Sequence, residues 1–412
     1  MKRPIHDLTW PGIAIFTASM CLCAVGLLCI IAVEGSAGDA ALKQIVFVIV
    51  SLVAGAAVLT AGYQRLGRFA YALFGIGLFL LALMVLARAF RGLPMIRPIN
   101  GTYRWISLPG FSVQPSEIMK VAFIIGLAWY LRHKEDVRRF KTLIGPFVLT
   151  VVPVMLVLLQ PDLGTALLLM PVLFVMLFAA GARLRHFAVV ALLAVCCLPL
   201  FWSRMQDYQK ERIAGLVLQY DSVRQRVKNS PDSWKWLCPE GKSSARRWER
   251  GAGYQLTGSL GALGNGGWAG QGWGNGAYVR HAVLLPAREN DFIFAIIGEQ
   301  WGFVGCLCLL GCYVVIVVAG LEIAARTDDP FGRLLAVGVV AMLGTQTLIN
   351  IGMTIGLTPI TGMNLPFVST GGSSLIANFA LIALLINVSQ DRPFLLARKP
   401  FENPEPDYAG IR

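Results

Sequence analysis

Residues 12–33 read GIAIFTASMCLCAVGLLCIIAV, an uncharged run. A bilayer's hydrocarbon core of about 30 Å takes a helix of roughly 20 apolar residues, so this stretch is long enough to cross. Lys2 and Arg3 precede it as in an export signal. Such signals carry a shorter apolar core of about 7–15 residues, so the run reads as a retained helix. Comparable runs follow at 43–62, 69–88, 117–131, 142–159, 163–181, 187–203, 292–321, 334–353 and 371–389. About ten such helices predict an all-α polytopic membrane protein, one domain over 1–398. The tail, 399–412, holds three prolines and is expected to be disordered.

Composition points the same way. Of 412 residues, 56% are hydrophobic and 14% charged, with a mean hydropathy of +0.63; soluble domains usually carry about 25% charged residues. A water-soluble enzyme, a disordered chain, a collagen-like fibre and a nucleic-acid-binding domain are excluded. The net charge of +13 then has two uses, fixing orientation and holding phosphate. Alternate connections carry Arg65 and Arg68; Arg132, Lys134, Arg138, Arg139 and Lys141; Arg183 and Arg185; Arg326 and Arg333; and Arg392, Arg398 and Lys399. With ten spans, all fall on the side of Lys2 and Arg3, which puts both termini in the cytoplasm.

The opposite face has two long connections, 89–116 and 204–291, and both are basic. The first holds Arg91, Arg97 and Arg104. The second, a large extracytoplasmic loop between the seventh and eighth spans, holds Lys210, Arg212, Arg224, Arg226, Lys228, Arg246, Arg247, Arg250, Arg280 and Arg288. Long loops translocate regardless of charge, so a solvated loop explains them; an anionic partner such as phosphate explains them too. The nine cysteines lie mostly in apolar runs, where buried thiols are ordinary. Cys238 is the exception, and one thiol forms no internal bridge there, so neither disulfides nor structural zinc are expected.

Ionisable groups within a bilayer are costly and therefore suspect. Glu117 and Lys120, in Gln114-Pro-Ser-Glu-Ile-Met-Lys120, share a helix face and can pair. They serve either as a cap with a local ion pair or as polar anchors of an outward-facing cavity. Asp162, in Gln160-Pro-Asp-Leu-Gly-Thr165, precedes a helical run as an N-cap would. Asp291 stands where a basic loop meets the eighth span, and Glu299 follows on nearly the same face, about 12 Å deeper. An N-cap explains Asp291 but not a second carboxylate beneath it. Asp291 is therefore the leading catalytic or substrate-binding candidate, and Glu299 a buried residue holding the bundle. Gln346 and Asn350 are amides suited to bonding neighbouring helices. The glycine-rich segment 264–276 lacks the strand and helix that a nucleotide-binding turn needs, and reads as a flexible or re-entrant loop.

Taken in order, six segments resemble the SEDS family (shape, elongation, division and sporulation) of bacterial cell-wall proteins. They are Arg104-Trp105 with Gln114-Pro-Ser-Glu-Ile-Met-Lys120; Gln160-Pro-Asp-Leu-Gly-Thr-Ala166; Gly253-Tyr-Gln255; Leu285-Pro-Ala-Arg-Glu-Asn-Asp-Phe-Ile-Phe-Ala295 with Gly298-Glu299; Asn350-Ile-Gly-Met353; and Leu365-Pro-Phe-Val-Ser369 with Gly371-Gly-Ser-Ser374. Asn350-Ile-Gly-Met353 and Gly362-Met-Asn-Leu-Pro366 resemble the RodA (elongation) branch; Ile296-Ile-Gly-Glu299 resembles its sister, FtsW (division). Three features depart from the family pattern: Thr370 where tyrosine is usual, Asn265 where serine or alanine is common, and an apparent insertion at 221–249.

The resemblance implies a multi-pass protein of the cytoplasmic membrane, a peptidoglycan glycosyltransferase. It would polymerise lipid II at the outer face during elongation, release polyprenyl pyrophosphate, and work with a class B penicillin-binding protein. In that reaction Asp291 would take the acceptor hydroxyl's proton. Glu117, Lys120 and Ser369 would shape the substrate site, and Arg104, Arg212, Arg280 and Arg288 would face the phosphates, with or without a divalent ion (Mg or Mn). Asp162, Glu299, Gln346 and Asn350 would form the polar core. Two rival readings use the same polar groups: a flippase for the lipid-linked precursor, and a non-catalytic scaffold.

Overall fold

The computed structural model describes residues 9–34, 38–90, 96, 98, 102–108, 111–133, 140–205, 207–238 and 240–390. Lys2, Arg3, Arg91, Arg97, Lys134, Arg138, Arg139, Arg392, Arg398, Lys399 and the tail lie outside them. In chain order the elements are α1 (Trp10–Glu34), α2 (Asp39–Ala61), α3 (Tyr63–Arg68), α4 (Ala70–Ala89), β1 (Ile106–Leu108), β2 (Phe111–Val113), α5 (Pro115–Leu131), α6 (Phe140–Leu159), α7 (Leu163–Ala179) and α8 (Leu184–Arg204). Then come α9 (Asp207–Leu218), α10 (Asp221–Asn229), α11 (Lys242–Arg250), α12 (Ala252–Gly266), α13 (Ala277–Arg280), α14 (Ile293–Arg326), α15 (Pro330–Thr354) and α16 (Gly372–Ser389).

Each of the ten apolar stretches coincides with a helix: α1, α2, α4 to α8, and α14 to α16. Among the described residues, seven of these are long and apolar enough to cross a membrane. The chain is an all-α polytopic membrane protein in its spans, with one departure. β1 and β2 form an antiparallel pair, Ile106 opposite Val113. Alternating Ile-Ser-Leu and Phe-Ser-Val around Pro109-Gly110 is a short hairpin pattern, hidden in sequence by the much stronger helical signal around it.

The basic connections meet at one end of the bundle. Tyr63 Oη donates to Asp329 (3.1 Å), Arg132 lies over the Trp129 ring at 3.1 Å, and Thr9 donates to Ser389 (2.9 Å). Arg65, Arg68, Arg326 and Arg333 lie on or beside these segments. At the other end, the stretch expected as a loop at 204–291 is largely helical. α9, α10 and α11 enclose a small core of their own, Ala214, Leu218, Val227, Leu237, Cys238 and Ala245, rimmed by ion pairs such as Lys228–Glu249 (2.6 Å). Burial pushes the Cys238 thiol up to about 11, helped by the charge of Glu211.

α14 is two helices joined at Gly302, whose φ of 65° and ψ of −162° are non-helical. The carbonyls of Glu299 and Gln300 accept from the N–H groups of Gln271 (2.8 Å) and Gly272 (3.1 Å). In return, Phe303 and Val304 donate to the carbonyls of Gly267 (2.9 Å) and Trp268 (3.2 Å). Unmade backbone bonds at membrane depth cost several kcal/mol each, so the glycine-rich segment acts as a splint across the break. A Cβ at Gly270 (φ +84°) would overlap the Gln300 carbonyl, whereas one at Gly264 would meet nothing within 4 Å. Gly270→Ala should destabilise the protein by at least about 1–2 kcal/mol, and Gly264→Ala, inside α12, should stabilise it by about 0.5–1 kcal/mol. Thermal unfolding in detergent would show shifts of opposite sign.

Candidate active site

The polar residues gather at the end of the bundle that carries α9 to α13. α5 starts with Pro115, suited to a helix's first turn, which brings Glu117 and Lys120 inside. They pair at 2.6 Å, 7% and 1% exposed. Lys120 Nζ also donates to Gln346 Oε1 (3.1 Å), and Gln346 Nε2 donates to the Asn364 carbonyl (2.9 Å). One turn along α15, Asn350 Nδ2 donates to the carbonyls of Met363 (2.5 Å) and Asp291 (3.0 Å). Two loops, 287–292 and 361–370, are thereby tied to one face of α15. Ser369 Oγ joins them to each other, donating to the Asn290 carbonyl (2.6 Å) and accepting from the Leu365 N–H (2.8 Å). Thr370 adds a backbone bond to Glu289 (3.1 Å) and a hydroxyl contact to the Asn290 side chain.

Asp291 is half-buried on this tied loop. Its Oδ2 lies 3.5 Å from where a side chain would begin at Gly362. Its N–H donates to the Ala287 carbonyl (3.2 Å). The backbone on both sides of the carboxylate is thus held in place.

A second cluster adjoins it. Asp162 caps α7, accepting from the Thr165 N–H (3.3 Å) and hydroxyl (3.0 Å). It also accepts from Ser116 (3.3 Å) and Gln114 (3.4 Å), two residues that reading the sequence alone did not single out. Their signal was available: both are polar groups at a helix entry with a buried carboxylate to satisfy. Arg104 approaches Asp162 at 4.0 Å, while its guanidinium donates to the carbonyls of Gln160 (2.8 Å) and Pro161. Gly164 packs against Met363 and Thr361, which joins this cluster to the loop beside Asp291.

The remaining candidates are spread out. Glu299 is fully buried and accepts from Asn265 Nδ2 (2.9 Å) and from the N–H groups of Tyr278 (3.1 Å) and Val279 (3.0 Å), locking α13 onto α14. Asn265, a departure from the family pattern, supplies one of those bonds. Arg288 is buried and donates to the carbonyls of Tyr278 (2.8 Å) and Val33 (3.1 Å); burial pushes its guanidinium below the ordinary value, opposed by Glu289 and Glu299. Arg280 is exposed, with bonds to the Gly274 carbonyl (3.1 Å) and Asn275 (2.8 Å). Arg212 falls in α9, and its side chain is outside those described. Among the described residues no group of three or more His, Cys, Asp or Glu could hold a metal ion.

Residues 13–393 match the family described as cell cycle protein, the FtsW, RodA and SpoVE group. The chain belongs to this family. FtsW of Geobacter metallireducens, described as a probable peptidoglycan glycosyltransferase, is 36% identical over 70% of each chain. Stage V sporulation protein E of Bacillus subtilis is 32% identical, over 93% of this chain and 98% of its own. Among solved structures, a chain of a peptidoglycan synthase complex that coordinates polymerization and crosslinking matches with a TM-score of 0.71 at 27% identity, covering 94% of this chain and 99% of that one. RodA of Thermus thermophilus matches at 0.65 and 26%, with the same coverage. This SEDS protein is accordingly a peptidoglycan glycosyltransferase and a multi-pass protein of the bacterial inner membrane. The motif reading leaned to the RodA branch, whereas relatives from several bacteria carry the FtsW name.

Proposed function

We infer that the chain polymerises lipid II at the outer face of the membrane, with Asp291 as the base. The acceptor's sugar hydroxyl attacks the donor's anomeric carbon. A glycosidic bond forms, the bond to the pyrophosphate oxygen breaks, polyprenyl pyrophosphate leaves, and Asp291 receives the hydroxyl proton. One displacement converts an α-linked donor into a β-linked polymer, so no covalent carboxylate intermediate is needed. One observation carries the reading. Of the four carboxylates singled out, Glu117, Asp162 and Glu299 are buried, whereas Asp291 is half-exposed at the end of the bundle.

Pyrophosphate departure calls for positive charge in a preorganised place. Arg280, exposed beside the glycine-rich segment, is better placed for it than half-buried Arg104 or buried Arg288. Glu117, Lys120 and Ser369 then act behind Asp291, fixing the loops that present it. A class B penicillin-binding protein fits as partner, given the likeness to a synthase complex that couples polymerization to crosslinking. The motif pattern supports elongation as the setting; the relatives named FtsW favour division as the second reading.

Purified protein given lipid II in detergent, with no bilayer to cross, should yield glycan strands resolvable on a gel. Protein that moves lipid II across vesicles but makes no polymer in detergent would be a flippase, and the polymerase reading would fall.

A further inference from the structure

The geometry points to a binding groove for a polyprenyl chain between α1 and α14, beside the part of α1 that meets Val368. The cavity measures about 470 Å³. Leu22 and Val25 of α1 and Ile297, Val304, Cys308 and Leu309 of α14 line it, with Ala269 of the glycine-rich segment alongside. Leu22, Ile297 and Leu309 form a buried floor, while Val304 and Cys308 are exposed at its edge. The break at Gly302 falls within this wall, between Ile297 and Val304.

Two features favour an amphiphile with an anionic head over any other occupant. The first is the order of groups along α1. Above Leu22 and Val25, Trp273 Nε1 donates to the Leu28 carbonyl (3.1 Å), and above that Arg288 donates to the Val33 carbonyl (3.1 Å). The apolar floor gives way to an indole and then to buried positive charge toward the membrane surface, an order of environments that suits a lipid with an anionic head. Arg280, held on the same glycine-rich segment, adds positive charge there. The second is continuity with the site. Gly26, next to Val25, lies against the backbone of Val368, the neighbour of Ser369, which bonds the Asn290 carbonyl beside Asp291. A chain in this groove would lie along the first half of α14, the helix that follows the loop carrying Asp291. A polymerase must hold two lipid-linked partners at once, and this groove would seat the chain of one of them. The assignment deepens the polymerase reading and rests on it for the chain's identity.

The test is photo-crosslinking of a photoreactive polyprenyl phosphate to the full chain in vesicles of phosphatidylethanolamine and phosphatidylglycerol. Peptides are mapped by mass spectrometry, and polymerisation of lipid II is assayed separately on the same preparation. Label should fall within residues 22–25 and 297–312, and unlabelled polyprenyl phosphate should compete for it. Cys308→Trp, which fills the groove from its exposed edge, should reduce labelling about ten-fold, equivalent to losing roughly 1.4 kcal/mol of binding. If that variant does not fold, Val304→Trp serves the same purpose. Label elsewhere, undiminished label in the filled variant, or equal competition by excess phosphatidylglycerol would overturn the assignment. Labelling in the groove without polymer would keep the site and remove the polymerase reading.

Discussion

Asp291→Asn should lower polymerisation of lipid II by about 10²–10⁴-fold, the usual worth of a placed general base, while leaving the fold intact. Asparagine has the same shape, and the bonds that fix this position use the backbone: the N–H to the Ala287 carbonyl and the carbonyl to Asn350. What the variant loses is the capacity to take a proton from the attacking hydroxyl. At saturating lipid II the loss should appear in turnover, because binding through lipid chain, phosphates and loops is untouched. Asp291→Glu retains a base but moves it by about one carbon–carbon bond, and misplacement on the order of 1 Å can itself cost about 10²-fold. Turnover measured on matched, equally folded preparations decides the matter. Near-normal polymer from Asp291→Asn would remove Asp291 from the chemistry and leave the site with no base among the residues singled out.

The spans were legible because the bilayer imposes a length: α1, α2, α4, α6 and α14 to α16 each carry enough apolar residues to cross, and no partner is needed to see it. Local signals were legible for a similar reason. Asp162 before a helical run and Pro115 at a helix entry act within one turn. The connections between distant segments were not. Nothing in the sequence near Lys120 says that its second partner is Gln346, or that Asn350 would hold the Asp291 carbonyl across 59 residues. Arg104 and Arg288 illustrate the same limit. An arginine in an external loop satisfies its donors with phosphate or with carbonyls equally well in sequence, and folding decides in favour of Gln160 and of Tyr278 and Val33. The glycine-rich segment was opaque because its role depends on a break in a helix about thirty residues away, at Gly302; in the sequence α14 reads as one long apolar run.

Lys120→Met should unfold or severely destabilise the protein, and the double variant Glu117→Gln/Lys120→Met should recover much of the lost stability without recovering activity. Lys120 is 1% exposed, and its ammonium sits 2.6 Å from Glu117. Removing it leaves a carboxylate buried without its counter-charge, which costs about 3–5 kcal/mol. Glu117→Gln alone strands the ammonium with Gln346 as its remaining acceptor and should cost a comparable amount. Replacing both removes the uncompensated charge, and a buried pair exchanged for neutral groups of similar volume is often close to neutral in stability. The two single losses, together about 6–10 kcal/mol, should therefore exceed the double loss by more than the roughly 0.5–3 kcal/mol usual for residues in direct contact. Activity should follow a different course. The Lys120–Gln346 bond is the link through which α5 holds the Asn364 carbonyl and the 361–370 loop, and a methionine cannot make it. The double variant should fold, bind lipid II and polymerise poorly, and thermal unfolding beside turnover would show the two properties separating. Full activity in a stable double variant would mean that the pair holds the bundle together and has no part in positioning Asp291.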